Sequence, residues 1–223
     1  MRSVVFDLDG TLADTSGDLL EAANACFREI GAGDVLTAAD AGTALRGGRA
    51  MLTLGFSRLG RAADQSEIDR LYPVLLKAYE RDIARHTVLF PGAMEAVGAL
   101  KDAGHPVAIC TNKPEGLARM LLEELGVLGD FAALVGADTL PVKKPDPAPL
   151  REAVRLAGGD PAYACLVGDS DTDRNTARAA GVPSILVTFG PSGADMAALE
   201  PEVLLEDYDM LPCVVAGLGP RIG

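Results

Sequence analysis

Four short stretches of the sequence carry residues whose types and spacing suit one kind of chemistry. In Phe6-Asp7-Leu8-Asp9-Gly10-Thr11-Leu12-Ala13-Asp14-Thr15, two aspartates stand two positions apart at the end of an apolar run. Strand alternation puts both side chains on one face, and a turn at Gly10 lets them converge. Two close carboxylates repel unless they share a cation or a proton. The pair therefore suits a hard metal ion, or a division of labour between a nucleophile and an acid/base group. Cys110-Thr111-Asn112-Lys113-Pro114 sets a hydroxyl ahead of a helix start, where free amides can cradle a phosphate. An ordinary Thr or Asn cap is the plainer reading. In Lys143-Lys144-Pro145-Asp146-Pro147 the prolines hold an extended loop. Lys144 could there neutralise an attacked phosphoryl group and a nearby carboxylate, or simply be solvated. In Val167-Gly168-Asp169-Ser170-Asp171-Thr172-Asp173, Asp169 would complete a metal site. Asp173, one turn on, would be a ligand or a support, and Asp171 is expected to be exposed. Acids here would also favour a helix dipole without any further role. As a set, a carboxylate pair, a hydroxyl, a lysine and another carboxylate are what phosphoryl transfer through an aspartyl-phosphate requires.

Such residues must be brought together by the elements that precede them. Short apolar runs at Ser3–Phe6, Pro106–Cys110, Ala132–Val135, Tyr163–Val167, Pro183–Val187 and Val203–Leu205 read as strands. Helical stretches fall between them: from Pro91 to Gly104, Pro114 to Gly126, Pro147 to Ala157 and Thr172 to Ala180, with a last one near Met210 to Gly217. Strands alternating with helices predict an α/β fold, a parallel sheet with helices on both faces. Ligands of such sheets sit beyond the carboxyl ends of the strands, and all four stretches lie at those ends. The alternation is interrupted once, by a segment of about residues 16–85 that reads as helical throughout. A helix start at Ser66 and a kink at Pro73 are expected within it. The expected organisation is a core of residues 1–15 and 86–223 and a helical cap of residues 16–85, able to open and close.

Composition narrows the function classes. The chain has 223 residues, 48% of them hydrophobic, enough for one sizeable core with a smaller lobe. A formal net charge of −12 argues against a nucleic-acid partner. Cys26, Cys110, Cys165 and Cys213 form no CxxC pair and are expected as reduced thiols in apolar surroundings. His86 and His105 stand alone, so no zinc cluster is expected. No apolar run is long enough for a membrane span, and with acids at Asp7 and Asp9 and no cleavable apolar region no signal peptide is expected. A cytoplasmic enzyme is expected.

With all four motifs in order over nearly the whole chain, the sequence resembles the haloacid dehalogenase-like superfamily. The resemblance implies a Rossmann-like core with a helical cap inserted after the first motif. It implies Asp7 as nucleophile and Asp9 as general acid/base, with Thr111 and Lys144 holding the phosphoryl group. It implies Mg2+ held by the Asp7 side chain, the Asp9 backbone carbonyl and Asp169, with Asp173 beside them. Thr11 and Asn112 are expected at the substrate. Dehalogenases of the superfamily lack the second acid, which Asp9 supplies here. Phosphonate-cleaving members use a cap lysine, whereas Lys77 reads as exposed. Sugar phosphomutases often carry a β-branched apolar residue where Thr11 stands. The overall similarity is to phosphoglycolate phosphatases. Leu45-Arg46-Gly47-Gly48-Arg49 falls where such enzymes place a substrate loop, and the usual pattern there lacks these arginines. Arg46 or Arg49 could pair a substrate carboxylate or second phosphate, or merely decorate a surface turn. The expected function is a magnesium-dependent phosphatase acting on a small phosphorylated metabolite, as a monomer or homodimer, with a phosphoglycolate-like ester favoured. A sugar phosphomutase and an inactive phosphate-binding module are the alternatives.

Overall fold

The computed structural model describes residues 1–190 and 193–219. Its strands are β1 (Ser3–Phe6), β2 (Ala13–Asp14), β3 (Val88–Leu89), β4 (Val107–Cys110), β5 (Ala133–Val135), β6 (Ala164–Gly168), β7 (Ser184–Val187) and β8 (Val203–Leu205). Its α-helices are α1 (Ser16–Glu29), α2 (Ala41–Ala44), α3 (Gly48–Arg58), α4 (Gln65–Arg81), α5 (Ala93–Asp102), α6 (Glu115–Glu124), α7 (Ala148–Leu156), α8 (Asp171–Ala180) and α9 (Leu211–Gly217). Residues divide by proximity into two units, Met1–Ala13 with Leu89 onward, and Asp14–Val88.

The first unit holds a six-stranded sheet in the order β5-β4-β1-β6-β7-β8, with every neighbouring pair parallel. Its strands are continuous apolar runs because side chains on both faces are buried: Val4, Val5 and Phe6 are all fully inaccessible. On one face Val5, Ala108, Cys110 and Leu166 pack with Leu150, Ala153 and Val154 of α7 and Ala177 of α8. Helices surround the sheet, as the alternation of elements predicts.

Sheet order and register decide where the motifs meet. The chain runs from β1 to β4 and β5 on one side, then crosses to β6, β7 and β8 on the other. β1 is therefore the switch point, the place where an α/β sheet opens a crevice for ligands. Phe6 is level with Ile109 of β4 and Val167 of β6. Asp7, Thr111 and Asp169 consequently leave the sheet together at its carboxyl edge.

The second unit contains α1 to α4 and is helical apart from the strand residues at its two ends. These ends belong to β2 and β3, which pair in a separate two-stranded sheet; two residues are too short to show periodicity in sequence. Asp18 ties together the start and end of this unit. Its buried carboxylate accepts hydrogen bonds from the His86 and Thr87 amides and from the Thr87 hydroxyl, so the charge is satisfied without a cation. The cap of α4 is Asp64, which accepts from the Ser66 amide, and not Ser66 itself. The helix runs on through Pro73. The carbonyl that loses its partner there belongs to the exposed Asp69, where water can serve it. Cys26, Cys110 and Cys165 are buried free thiols, while Cys213, against expectation, is exposed on short α9. Among the described residues no helix is long and apolar enough to cross a membrane.

Phe27 of α1 meets Phe56 of α3 edge-on at 5.5 Å, and Gly55 makes room for it. A Cβ at Gly55 would lie 2.1 Å from Phe27 Cζ. Gly55→Ala is expected to destabilise the protein by roughly 1–3 kcal/mol through overpacking. Thermal melting checks this, and an unchanged Tm would contradict the packing described.

Candidate active site

Asp7 follows β1, and its amide still bonds to the Val167 carbonyl of β6 at 2.9 Å. The carboxylate is held from two sides. Oδ1 accepts from the Leu8 amide at 2.7 Å, and Oδ2 lies 3.0 Å from Lys144 Nζ. Two fixed partners set both its position and its plane, which a nucleophile needs.

Lys144 comes from the proline-flanked loop before α7 and is the member of the Lys143-Lys144 pair that turns inward. Its side chain is 1% exposed, and it also reaches Asp173 Oδ1 at 2.6 Å. Lys143 is exposed. Burial works against the Lys144 ammonium, but Asp173 and Asp7 outweigh it and hold its pKa above the usual value.

Asp169 leaves β6, and Ser170 caps α8, accepting from the Asp173 amide. Asp173 Oδ2 accepts from the Ser170 hydroxyl at 2.5 Å and the Asp169 amide at 3.2 Å. Both Asp173 oxygens are thus engaged by the protein, at a residue expected as a metal ligand or as a support beside one. Gly168 is essential to this packing, since a Cβ there would lie 2.4 Å from Asp173 Cβ. Asp171 is exposed, as expected.

Carboxylate oxygens of Asp7, Asp169 and Asp173 lie within 4.8 Å of one another. One lysine cannot balance three carboxylates in a place largely shut off from water. Burial first, then Asp173 and Asp9, push the Asp7 pKa up to about 6 against the pull of Lys144. Burial, Asp173 and Asp7 push Asp169 well above the usual carboxylate range. The site is short of positive charge, and its donors are hard oxygens. That set fits a divalent cation of the magnesium kind.

The Asp9 carboxylate lies outside the group of three. It is 2.8 Å from Nζ of Lys113, whose side chain is 4% exposed. Nothing local in the sequence marks Lys113 for this position. It follows Thr111 and Asn112, and only the fold turns it inward. Thr111 is buried, and its Oγ1 accepts from the Lys113 amide at 3.1 Å.

Three residues expected at the substrate have partners within the protein. Thr11, expected at the substrate, is fully buried and donates its hydroxyl to Asp169 Oδ1 at 3.0 Å. Asn112, expected there too, donates to the Lys144 carbonyl at 3.0 Å and so ties the second motif to the third. Arg49, expected to await a substrate anion, pairs with Asp69 at 2.5 Å and covers the Tyr72 ring at 4.6 Å. Asp69 and Tyr72 face it from α4, one turn apart, and supply a partner that the sequence motif alone does not reveal. Arg46 is exposed just beyond α2. Lys77 is exposed, as expected.

A carboxylate pair, a buried lysine and a third acid at the switch point of a parallel sheet define a hydrolase class that comparison with known proteins identifies. The sequence model of the haloacid dehalogenase-like hydrolases matches residues 4–187, and the chain belongs to that family. It is similar to the phosphoglycolate phosphatase of Mesorhizobium japonicum, 41% identical, with 96% of this chain and 94% of the relative covered. The phosphoglycolate phosphatase of Agrobacterium fabrum is 38% identical, with 93% of this chain and 89% of the relative covered. A solved structure from Lactobacillus delbrueckii superposes with a TM-score of 0.82 at 26% identity, covering 98% of this chain and all of that one.

The raised Asp7 pKa predicts a dependence of stability on pH. Without metal, the folded protein holds a proton on Asp7 that the unfolded chain releases near pH 4. Stability contributed at Asp7 therefore falls as pH rises from about 4 to about 6, by about 2–3 kcal/mol. The stability of wild type relative to Asp7→Asn should decline over that range in chelator, and much less with Mg2+ present. Urea melts at several pH values check this; a difference that rises with pH in chelator would contradict it.

Proposed function

We propose that this protein is a magnesium-dependent phosphatase that hydrolyses a small phosphate monoester through an aspartyl-phosphate on Asp7. The observation that carries the proposal is the Asp7 carboxylate, fixed by the Leu8 amide at 2.7 Å and by Lys144 at 3.0 Å inside the acidic cluster. The substrate class rests on the relatives. Those identical at 34–41% over most of the chain are phosphoglycolate phosphatases, so a phosphoglycolate-like ester is favoured. A cytoplasmic location and a monomeric or homodimeric state are part of the proposal.

In the proposed reaction Lys144 offsets the repulsion between the Asp7 carboxylate and the incoming phosphate dianion. An Asp7 oxygen attacks phosphorus, and the bond from phosphorus to the ester oxygen breaks. Asp9, protonated, gives its proton to the departing alkoxide, and Lys113 lies beside the carboxylate that remains. Once the alcohol has left, Asp9 takes a proton from a water whose oxygen attacks phosphorus. The phosphorus–Asp7 bond then breaks, releasing inorganic phosphate and restoring both aspartates. Thr111, its oxygen oriented by the Lys113 amide, is placed to donate to a phosphoryl oxygen. Magnesium, held by Asp7, Asp169 and the Asp9 carbonyl, would supply positive charge to the phosphoryl oxygens.

Phosphate release from 2-phosphoglycolate, hexose phosphates and nucleotides, with and without Mg2+, tests the reading. Release should require Mg2+ and be fastest with 2-phosphoglycolate. Asp7→Asn should lower kcat by roughly three orders of magnitude or more while remaining folded. Near-normal turnover by Asp7→Asn would refute the nucleophile. Isomerised hexose phosphate without phosphate release would replace the phosphatase with a phosphomutase.

A further inference from the structure

The turn after the two aspartates of the first motif is backed by residues distant in sequence. Gly190, after β7, lies so close that a Cβ there would be 3.1 Å from the Gly10 carbonyl oxygen. The Tyr208 hydroxyl donates to the Thr11 carbonyl at 2.7 Å, and the Phe90 amide donates to the Leu12 carbonyl at 3.0 Å. Three successive carbonyls of the turn thus meet three residues distant in sequence. Two of those residues belong to one aromatic cluster, in which Phe189 lies 5.1 Å from Phe90 and 5.1 Å from Tyr208. Tyr208 is 1% exposed, so its hydroxyl is out of reach of substrate and bulk water.

Thr11 links this support to the acidic cluster. Its carbonyl takes the Tyr208 hydroxyl, while its own hydroxyl holds Asp169 Oδ1 at 3.0 Å. We propose that Tyr208 is a positioning residue of the cation site, fixing Thr11 so that Asp169 and the Asp9–Gly10 turn keep the spacing that a divalent cation requires. This rests on the proposed role of Asp7 and Asp169 as its ligands. The phenol ring fills the space behind the turn, but only the hydroxyl carries the positioning. Removing that one atom separates the two roles, because an unmet buried carbonyl lets the turn shift while the packing remains.

Isothermal titration with MgCl2, without substrate, tests the proposal. Tyr208→Phe should remain folded and bind Mg2+ about 5–10-fold more weakly, the scale of one buried hydrogen bond. Thr11→Val should weaken binding too, and adding Tyr208→Phe to it should weaken it no further, since both act along one path. Val154→Ala, a core cavity remote from the turn, should lower Tm without changing Mg2+ affinity. Unchanged Mg2+ affinity in Tyr208→Phe overturns the proposal, as does equal weakening in Val154→Ala, which would make the effect one of general destabilisation. Asp169→Asn is the control for the underlying reading. If it binds Mg2+ like wild type, the ligand assignment fails; if it loses binding while Tyr208→Phe keeps it, only the role of Tyr208 fails.

Discussion

Three carboxylates and one ammonium packed at the end of β1 create the constraint around which the rest of the core is arranged. Asp173 and Lys144 have side chains 0% and 1% exposed, so neither can shed its charge into water. Their ion pair is stable only because the geometry is complete: Asp173 has further donors in Ser170 and the Asp169 amide, and Lys144 has Asp7 as a second acceptor. What remains is an excess of negative charge at Asp7 and Asp169. A catalytic site that handles phosphate dianions gains from this arrangement only when a cation joins it. With the cation present, the same crowding becomes a preorganised set of oxygen ligands next to a lysine.

The sheet explains how four separated stretches can build such a site. Level register across β4, β1 and β6 delivers Thr111, Asp7 and Asp169 to one edge. The loops then lock to one another by side chain to backbone bonds, as Asn112 to the Lys144 carbonyl and Thr11 to Asp169 show. Thr11 and Asn112, which look like substrate ligands in the sequence, each fasten one motif to another here. This is a natural outcome where short loops must hold charged groups to within a fraction of an ångström.

Legibility in the sequence followed the range of the physical signal. The main strands are apolar runs bounded by turn residues and could be read directly, as could the helical insertion between the first motif and Pro91. The acids and Lys144 were legible because strand ends and a proline-flanked loop give local reasons for their position. Lys113 was not, since a lysine after Thr111-Asn112 looks solvated until the fold turns it onto Asp9. Tyr208 was invisible for a stronger reason: its partner Thr11 lies 197 positions away, and no local pattern records such a contact. The partners of Arg49 were not legible either, because Asp69 and Tyr72 belong to another helix.

The central claim is that Asp7 becomes covalently phosphorylated during turnover. The most direct measurement is to quench the enzyme during steady-state hydrolysis and reduce it with borohydride, which converts an aspartyl-phosphate to homoserine. Peptide mass spectrometry then locates the change. Homoserine at position 7, dependent on substrate and absent from Asp9, Asp169 and Asp173, is the predicted result. Unmodified Asp7 in an enzyme shown to be turning over, or homoserine at a different aspartate, would contradict the account.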